Sequence, residues 1–238
     1  MPKGMKFNNI RKPNIYLLEG RVKAPFSPLR RDIVRTPNGY RLKKTVREPL
    51  QILQPIGYVV EGDEHALNIK DELAKWLITD NLAPLEFDDE PGRTYWVLVQ
   101  NTIEDFERFA YLRRGTIKFI SFYATGKEYT IDITPIPQSF NINGQTPTPY
   151  TTKTIFSESA NRFTLEGSNG LKVILNFNFT AGDVLEIDSK ERSVFLNGLD
   201  LATAVSLETE WAKGELPVGF IELKSSHKTE LIYTERYY

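Results

Sequence analysis

His65 and His227 are the only imidazoles in a chain of 238 residues that contains no cysteine. Acyl transfer through a Ser-His-Asp arrangement would need one of them as its base. His65 stands in the acidic EGDEH stretch and His227 in the polar SSHKTE stretch, and both read as exposed loop residues. No GxSxG nucleophile elbow accompanies them. Without cysteine there is no thiolate nucleophile, disulfide, Cys-ligated zinc or iron–sulfur cluster, and the two distant histidines form no HExxH motif. A glycosidase needs two carboxylates, which the FDDEPGR stretch (Asp88, Asp89, Glu90) could supply. Three acids before Pro-Gly read more simply as a solvated turn. Phosphate-cradling GxxxxGK[ST] and GxGxxG patterns are missing, and the acids follow no EF-hand spacing. Tyr150, Trp211 and the terminal Tyr237 and Tyr238 are the aromatic residues that could stack on a sugar ring, whereas Trp76 and Trp96 read as core. No catalytic, metal or cofactor-binding set emerges, and elimination favours an assembly or binding protein over an enzyme.

Charge adds a second constraint. Thirty Lys and Arg against thirty-one Asp and Glu give a formal net charge of −1, so no global positive field exists to hold nucleic acid or an anionic membrane. The first residues carry no apolar stretch behind their charges, and no later run approaches the ~18 apolar residues of a membrane span. Neither a secretion signal nor a spanning helix is expected. The near-neutral total hides local extremes: residues 21–50 carry nine basic against two acidic side chains, and residues 61–90 carry ten acidic against two basic. Arg30, Arg31, Arg35, Arg41, Lys43 and Lys44 dominate the first segment, and Asp88 and Asp89 end the second. The plain reading is solvated faces with some internal pairing. The sharper reading is a basic arm on one subunit meeting an acidic face on the next, a head-to-tail contact that closes into a ring when its rotation allows.

The elements that must carry these residues are mostly strands. Val, Ile, Thr, Tyr and Phe recur in short runs broken by Pro, Gly and Asn. One segment differs: Ile69, Leu73, Trp76 and Leu77 form a helical stripe, with Asn68 as N-cap and Asp71 in the first turn, which predicts one short helix over about 68–78. TYWVLVQ and GTIKFISFY read as strands, and the NTIEDFERFAYLRR stretch between them fits a further strand or a short helix. Pro135, Pro137, Pro147 and Pro149 mark an extended joint, since proline removes a donor and fixes φ. The chain is therefore divided into domains 1–138 and 139–238. In the second, Leu171, Val173, Leu175, Phe177 and Phe179 alternate onto one face, and DVLEID and SVFLNG form a hairpin across SKER. The expected fold is mainly β: an α+β N-terminal domain with one short helix, then a C-terminal β-sandwich of roughly 100 residues.

The order of these parts resembles the distal tail proteins of siphophages, the bacteriophages with long non-contractile tails. The likeness rests on a helix ending in Trp76 and Leu77; on a Leu…Asp-x-Pro-x-Arg-x-Tyr stretch at Leu85, Asp89, Pro91, Arg93 and Tyr95; and on Gly115, Ile117 and Phe119 in the next strand. In the second half it rests on Gly182, Asp183, Leu185, Ile187 and Asp188, then Val194, Leu196, Asn197 and Gly198. One departure is Ala124-Thr125-Gly126-Lys127, where the family often has an Asp-Pro-Tyr-like segment. The resemblance covers about 20–225. It implies a hexameric ring at the tail tip, built by the N-terminal domains, that joins the tail tube to the tape-measure protein and to baseplate or receptor-binding proteins. It also implies a galectin-like or carbohydrate-binding-module-like sandwich, with host surface glycan as a possible further partner. The expected location is the virion tail tip, after assembly in the reducing cytoplasm of the host bacterium. Two alternatives stay open on the residues alone: a carbohydrate-binding module using Tyr150 or Trp211, and a cell-wall glycosidase using acids near Asp88 and Asp89.

Overall fold

The computed structural model describes residues 4–100, 104–109 (backbone only) and 112–238. The chain forms two compact units, the first running to Thr125 and including Tyr238, the second spanning Gly126–Tyr237. The first unit contains β1 (Met5–Phe7), β2 (Tyr16–Leu17), β3 (Val22–Lys23), β4 (Leu29–Thr36), β5 (Gly39–Arg47), β6 (Leu50–Val59), α1 (Asp63–Leu77), β7 (Ala83–Phe87), β8 (Thr94–Val99), β9 (Glu104–Phe109) and most of β10 (Leu112–Ile133).

β10 is the axis of this unit. Residues 112–121 pair with β6 on one edge, while β8 and β9 share the other. β9 settles the ambiguous segment between TYWVLVQ and GTIKFISFY as a strand at 104–109. β7 and then β1 extend the sheet beyond β8. Outside β6, pairing is split into two short pieces, β2 at Ile56–Gly57 and β3 at Ile52–Leu53. The gap falls at Gln54-Pro55, where proline cannot donate to a ladder. The buried Gln54 fills it by donating Nε2–H to the carbonyls of Leu18 (3.3 Å) and Pro55 (2.6 Å).

The helix packs on this sheet through Ala66, Leu73, Trp76 and Leu77. Trp76 is the central contact: its ring meets Phe7 edge-on at 5.9 Å and its Nε1–H donates to the Phe7 carbonyl at 3.1 Å. The helix starts five residues earlier than its apolar stripe predicts, after an extended Gly62, with Asp63 and Glu64 in the electropositive first turn. Asn68 is thus interior rather than a cap. His65 is half-buried in the first helical turn and accepts the Glu61 N–H on Nδ1 at 3.1 Å, so it is not a loop residue. Trp96 also departs from expectation: it is half-buried, donates to Thr125 Oγ1 at 3.2 Å and stacks on Tyr123, while its neighbours Tyr95 and Val97 take the core side.

The second unit contains the end of β10 and β11 (Gln138–Ile142), β12 (Tyr150–Ile155), β13 (Ala160–Gly167), β14 (Lys172–Phe179), β15 (Val184–Asp188), β16 (Ser193–Leu196), β17 (Leu199–Asp200), β18 (Gly219–Ser225) and β19 (Thr229–Tyr237). One sheet runs β10-β19-β12-β15-β16-β17, the other β11-β18-β13-β14. Their inner faces share one core: Tyr150, Leu185, Ile187, Leu231 and Tyr233 from the first meet Phe163, Leu165, Val173, Leu175, Ile221 and Leu223 from the second. This is the β-sandwich expected, and the β15–β16 hairpin closes across residues 189–192 with Asp188 opposite Ser193. β19 is an internal strand whose Thr229, Leu231 and Tyr233 alternate into the core.

Phe177 leaves the face assigned to it. The β13–β14 register slips between Ala160 and Arg162, so residues 177 and 178 oppose a single residue, and this bulge turns Phe177 outward to 39% exposure. His227 is half-buried against Phe156 at 4.7 Å and bonded to Ser226 Oγ, again not an open loop residue. Within the departure at 124–127, a Cβ on Gly126 would sit 2.6 Å from Glu235 Oε2 and 2.7 Å from the Tyr237 ring. Among the described residues no helix is long and apolar enough to cross a membrane.

Trp76→Ala removes both the ring and the hydrogen bond that fasten α1 to β1. It is expected to cost about 3–5 kcal/mol of stability, read as a lowered midpoint in denaturant titration, with the second unit's tertiary signal retained.

Candidate functional site

β4 and β5 form a two-stranded ribbon joined by the Pro37-Asn38 turn, with Thr36 opposite Gly39. Gly39 has φ +123°, a conformation that L side chains rarely adopt. The register places Ile33 against Leu42 and Arg35 against Tyr40 on one face, and Val34 against Arg41 on the other. One extra residue, Lys43, bulges between the pairs Asp32–Lys44 and Ile33–Leu42. Nearly every residue of both strands is exposed, including Ile33 at 56%, Leu42 at 54% and Tyr40 at 78%. A two-stranded ribbon is marginal in water unless something covers it. This one exposes an apolar row together with seven basic residues and a single acid, Asp32. Arg30, Arg31, Arg35, Arg41, Lys43 and Lys44 all lie on it. The structure therefore gathers the six basic residues singled out in the sequence onto one projecting element. The long Arg30–Glu48 contact, 3.7 Å, is an exposed pair worth little.

Asp88 and Asp89 behave differently. They occupy the turn between β7 and β8, and they are engaged by cations of the same unit. Asp88 accepts from Gly4 N–H (2.9 Å) and from Arg11 Nη1 (2.8 Å). Arg21 spans the turn: its Nη1 donates to Asp89 and Glu90, each at 3.0 Å, its Nε donates to Gln54 Oε1 at 2.7 Å, and its guanidinium lies 3.7 Å above the Phe87 ring. Lys23 and the Tyr95 hydroxyl both donate to Glu90 Oε2. The Arg11 hydrogen bond holds the Asp88 carboxyl below its ordinary range. Burial pushes Glu90 up, but hydrogen bonds from Lys23 and Tyr95 and the charges of Lys23 and Arg21 outweigh it, so the net shift is downward. Burial, then the hydrogen bond to Glu90, raises the Tyr95 hydroxyl. The turn is a latch fastening the N-terminal segment to the sheet, while Asp88 and Asp89 themselves stay exposed to solvent. Arg21 and Lys23, counted in the basic segment, are spent here. Further exposed acids of the same run lie on and beside α1: Glu61, Glu64, Asp71 and Asp80, with Glu72 held by Lys12 at 3.2 Å and Asp63 near Arg113 at 3.8 Å. A glycosidase's general acid needs a raised pKa, the opposite of the shift at Asp88 and Glu90.

The sugar-stacking residues fare no better. Tyr150 is 2% exposed, inside the sandwich core, where no ring can stack on it. Trp211 sits on a 3₁₀ turn (Trp211–Lys213), half-buried, and packs against that core. Among the described residues no group of three or more His, Asp or Glu side chains could hold a metal ion. Sequence reasoning missed the latch because Arg11, Arg21 and Lys23 lie at least 65 residues from the acids they meet. The signal available was the Asp-x-Pro-x-Arg-x-Tyr spacing, whose Tyr95 is a latch member.

Comparison with known proteins places these units. A family model described as a phage tail protein RIFT-related domain matches residues 33–121, and one described as a siphovirus-type tail component, C-terminal domain, matches residues 143–237. The distal tail protein of Bacillus phage SPP1 is 29% identical over 187 residues, covering 74% of this chain and 72% of that protein. The crystal structure of the SPP1 Dit protein, described as a paradigm of hub adsorption apparatus in phages infecting Gram-positive hosts, superposes with a TM-score of 0.86 at 18% identity over 99% of each chain. A chain of the phage P2 baseplate in its activated, calcium-containing conformation gives 0.59 at 8% identity over 99% and 98%. These structural likenesses establish the shared fold.

Removing Arg21 leaves Glu90, Asp89 and Gln54 without their common donor, so Arg21→Ala is expected to cost about 1–3 kcal/mol. Because the folded-state pKa values of Asp88 and Glu90 lie below their unfolded values, the latch stabilises fully above the ordinary carboxylate range, about pH 4. That contribution is lost as pH falls through the folded values. Asp88→Asn should melt lower than the parent at neutral pH and show a flatter decline of melting temperature in acid.

Proposed function

Because the chain belongs to the siphophage distal tail protein family, we propose that it is the hub at the distal end of a long non-contractile phage or prophage tail. It joins the tail tube and the tape-measure protein to the baseplate or receptor-binding proteins of the host-adsorption device. The first unit, up to residue 125, builds a homo-hexameric ring, and the second, residues 126–237, is the β-sandwich. The role is architectural, with no chemistry of its own. A cysteine-free chain suits assembly in a reducing bacterial cytoplasm before incorporation at the virion tail tip.

The observation that carries this reading is the β4–β5 ribbon: a basic, partly apolar element with no interior of its own, on a domain whose relative is a tail-tip hub. A second copy of the chain offers it a partner of opposite charge. The acids offered to that contact are Asp88 and Asp89, exposed though paired within the subunit, and Glu61, Glu64 and Asp71 of the α1 region. Arm on helix face is heterologous, so repetition with a suitable rotation closes a ring. Burial of Tyr150 in the core weighs against the carbohydrate-binding alternative.

Reversing charge at Arg30, Arg31 and Arg35 to Glu is expected to weaken self-association by about tenfold or more. Size-exclusion chromatography with light scattering reads this as a shift from a ring toward monomer. Combining the reversal with Glu64→Lys and Asp71→Lys should restore the larger mass. An unchanged mass in the triple variant would refute the arm's role.

A further inference from the structure

We propose that Asn38-Gly39, at the tip of the β4–β5 ribbon, is a site of spontaneous deamidation that converts a neutral amide into a carboxylate on the unassembled subunit. The reaction needs an Asn followed by a residue without a side chain. The Gly39 backbone nitrogen attacks Asn38 Cγ, ammonia leaves, and a five-membered succinimide closes. Water then opens that ring at either carbonyl, giving aspartate or isoaspartate, so one water is consumed and one ammonia released.

Four Asn-Gly pairs occur in the chain, at 38–39, 143–144, 169–170 and 197–198. Three are restrained. Asn197 accepts the Val184 N–H on Oδ1 at 2.9 Å and donates Nδ2–H to Asp183 at 2.8 Å. Asn169 accepts the Leu171 N–H at 3.0 Å. Asn143 bonds Tyr129, and Gly144 is pressed against the backbone of Arg236, which a Cβ would approach to 2.9 Å. Asn38 has none of this. It is exposed, and among the described residues it makes no side-chain hydrogen bond. A Cβ on Gly39 would meet nothing within 4 Å. The ribbon also has no core to suppress fraying, so its end opens at small cost and lets the Gly39 nitrogen turn toward Asn38.

The consequence falls on the arm. A carboxylate at the tip opposes the neighbouring Arg35 and Arg41, and an isoaspartate adds a methylene to the backbone of the turn that sets the ribbon's register. Where the arm is covered in an assembly the tip is held and the reaction slows. That last step rests on the ring reading, whereas conversion in the free subunit does not.

Trypsin isolates the site cleanly, because cleavage after Arg35 and Arg41 yields Thr36–Arg41 with a single asparagine. The intact protein, kept as free subunit in mildly alkaline buffer at body temperature and sampled over days, is digested and mapped by mass spectrometry. The expected result is a mass gain of about one dalton on Thr36–Arg41, resolved into isoaspartyl and aspartyl forms, about tenfold more advanced than at the other three pairs. Asn38→Gln should abolish it. A Thr36–Arg41 peptide unchanged after the whole course, or no further advanced than the other three, would overturn the inference. Equal conversion in assembled and free protein would leave the site standing and count against the arm being covered.

Discussion

A guanidinium removed from water must meet anions and acceptors, and in this protein Arg21 does so at one turn. Its Nη1 and Nε groups reach Asp89, Glu90 and Gln54 while its plane rests on Phe87. Around it, Arg11 fixes Asp88 and Lys23 fixes Glu90. This one cluster decides how residues 4–23 run, because β1 adds to β7 just before the turn and β3 adds to β6 beside it. It also decides which charges are left over. With three cations and three carboxylates paired to one another there, Arg30, Arg31, Arg35, Arg41, Lys43 and Lys44 are left on the ribbon and Glu61, Glu64 and Asp71 near α1.

The ribbon then becomes the unusual part of an otherwise well-covered fold. Elsewhere, exposed sheet edges are short or shielded: β17 has two residues, and the edge of β14 is covered where Ser206 and Glu210 N–H groups donate to the Ile174 and Lys172 carbonyls. The β4–β5 element instead presents Ile33, Leu42 and Tyr40 to solvent amid seven cations. Apolar area gives such an arm affinity, and like charge keeps two arms from pairing with each other. A partner that complements it would have to supply acids and an apolar footing.

Legibility followed the range of the interactions. Strand runs at 94–99, 172–179 and 184–196 were visible because period-two burial is local. The helix was visible through its stripe, but its start was misplaced because Asp63, Glu64 and Ala66 belong to no continuous apolar pattern. Phe177 was assigned inward because a bulge changes side without changing composition. Tyr150 looked available for a sugar because aromatic residues carry the same letters in a core and in a groove. Its 2% exposure comes from two sheets closing over it.

By itself the sequence determined the absence of thiol chemistry, the mainly β character, the basic segment at 21–50 and the ordered motifs that mark the tail protein family. These rest on residue type and short spacing, which need no fold to be read. Only the tertiary structure decided which charges pair with one another. Asp88 and Asp89 meet Arg11 and Arg21 across at least 68 residues, and pairings at that distance depend on the path of the chain, which no local pattern records.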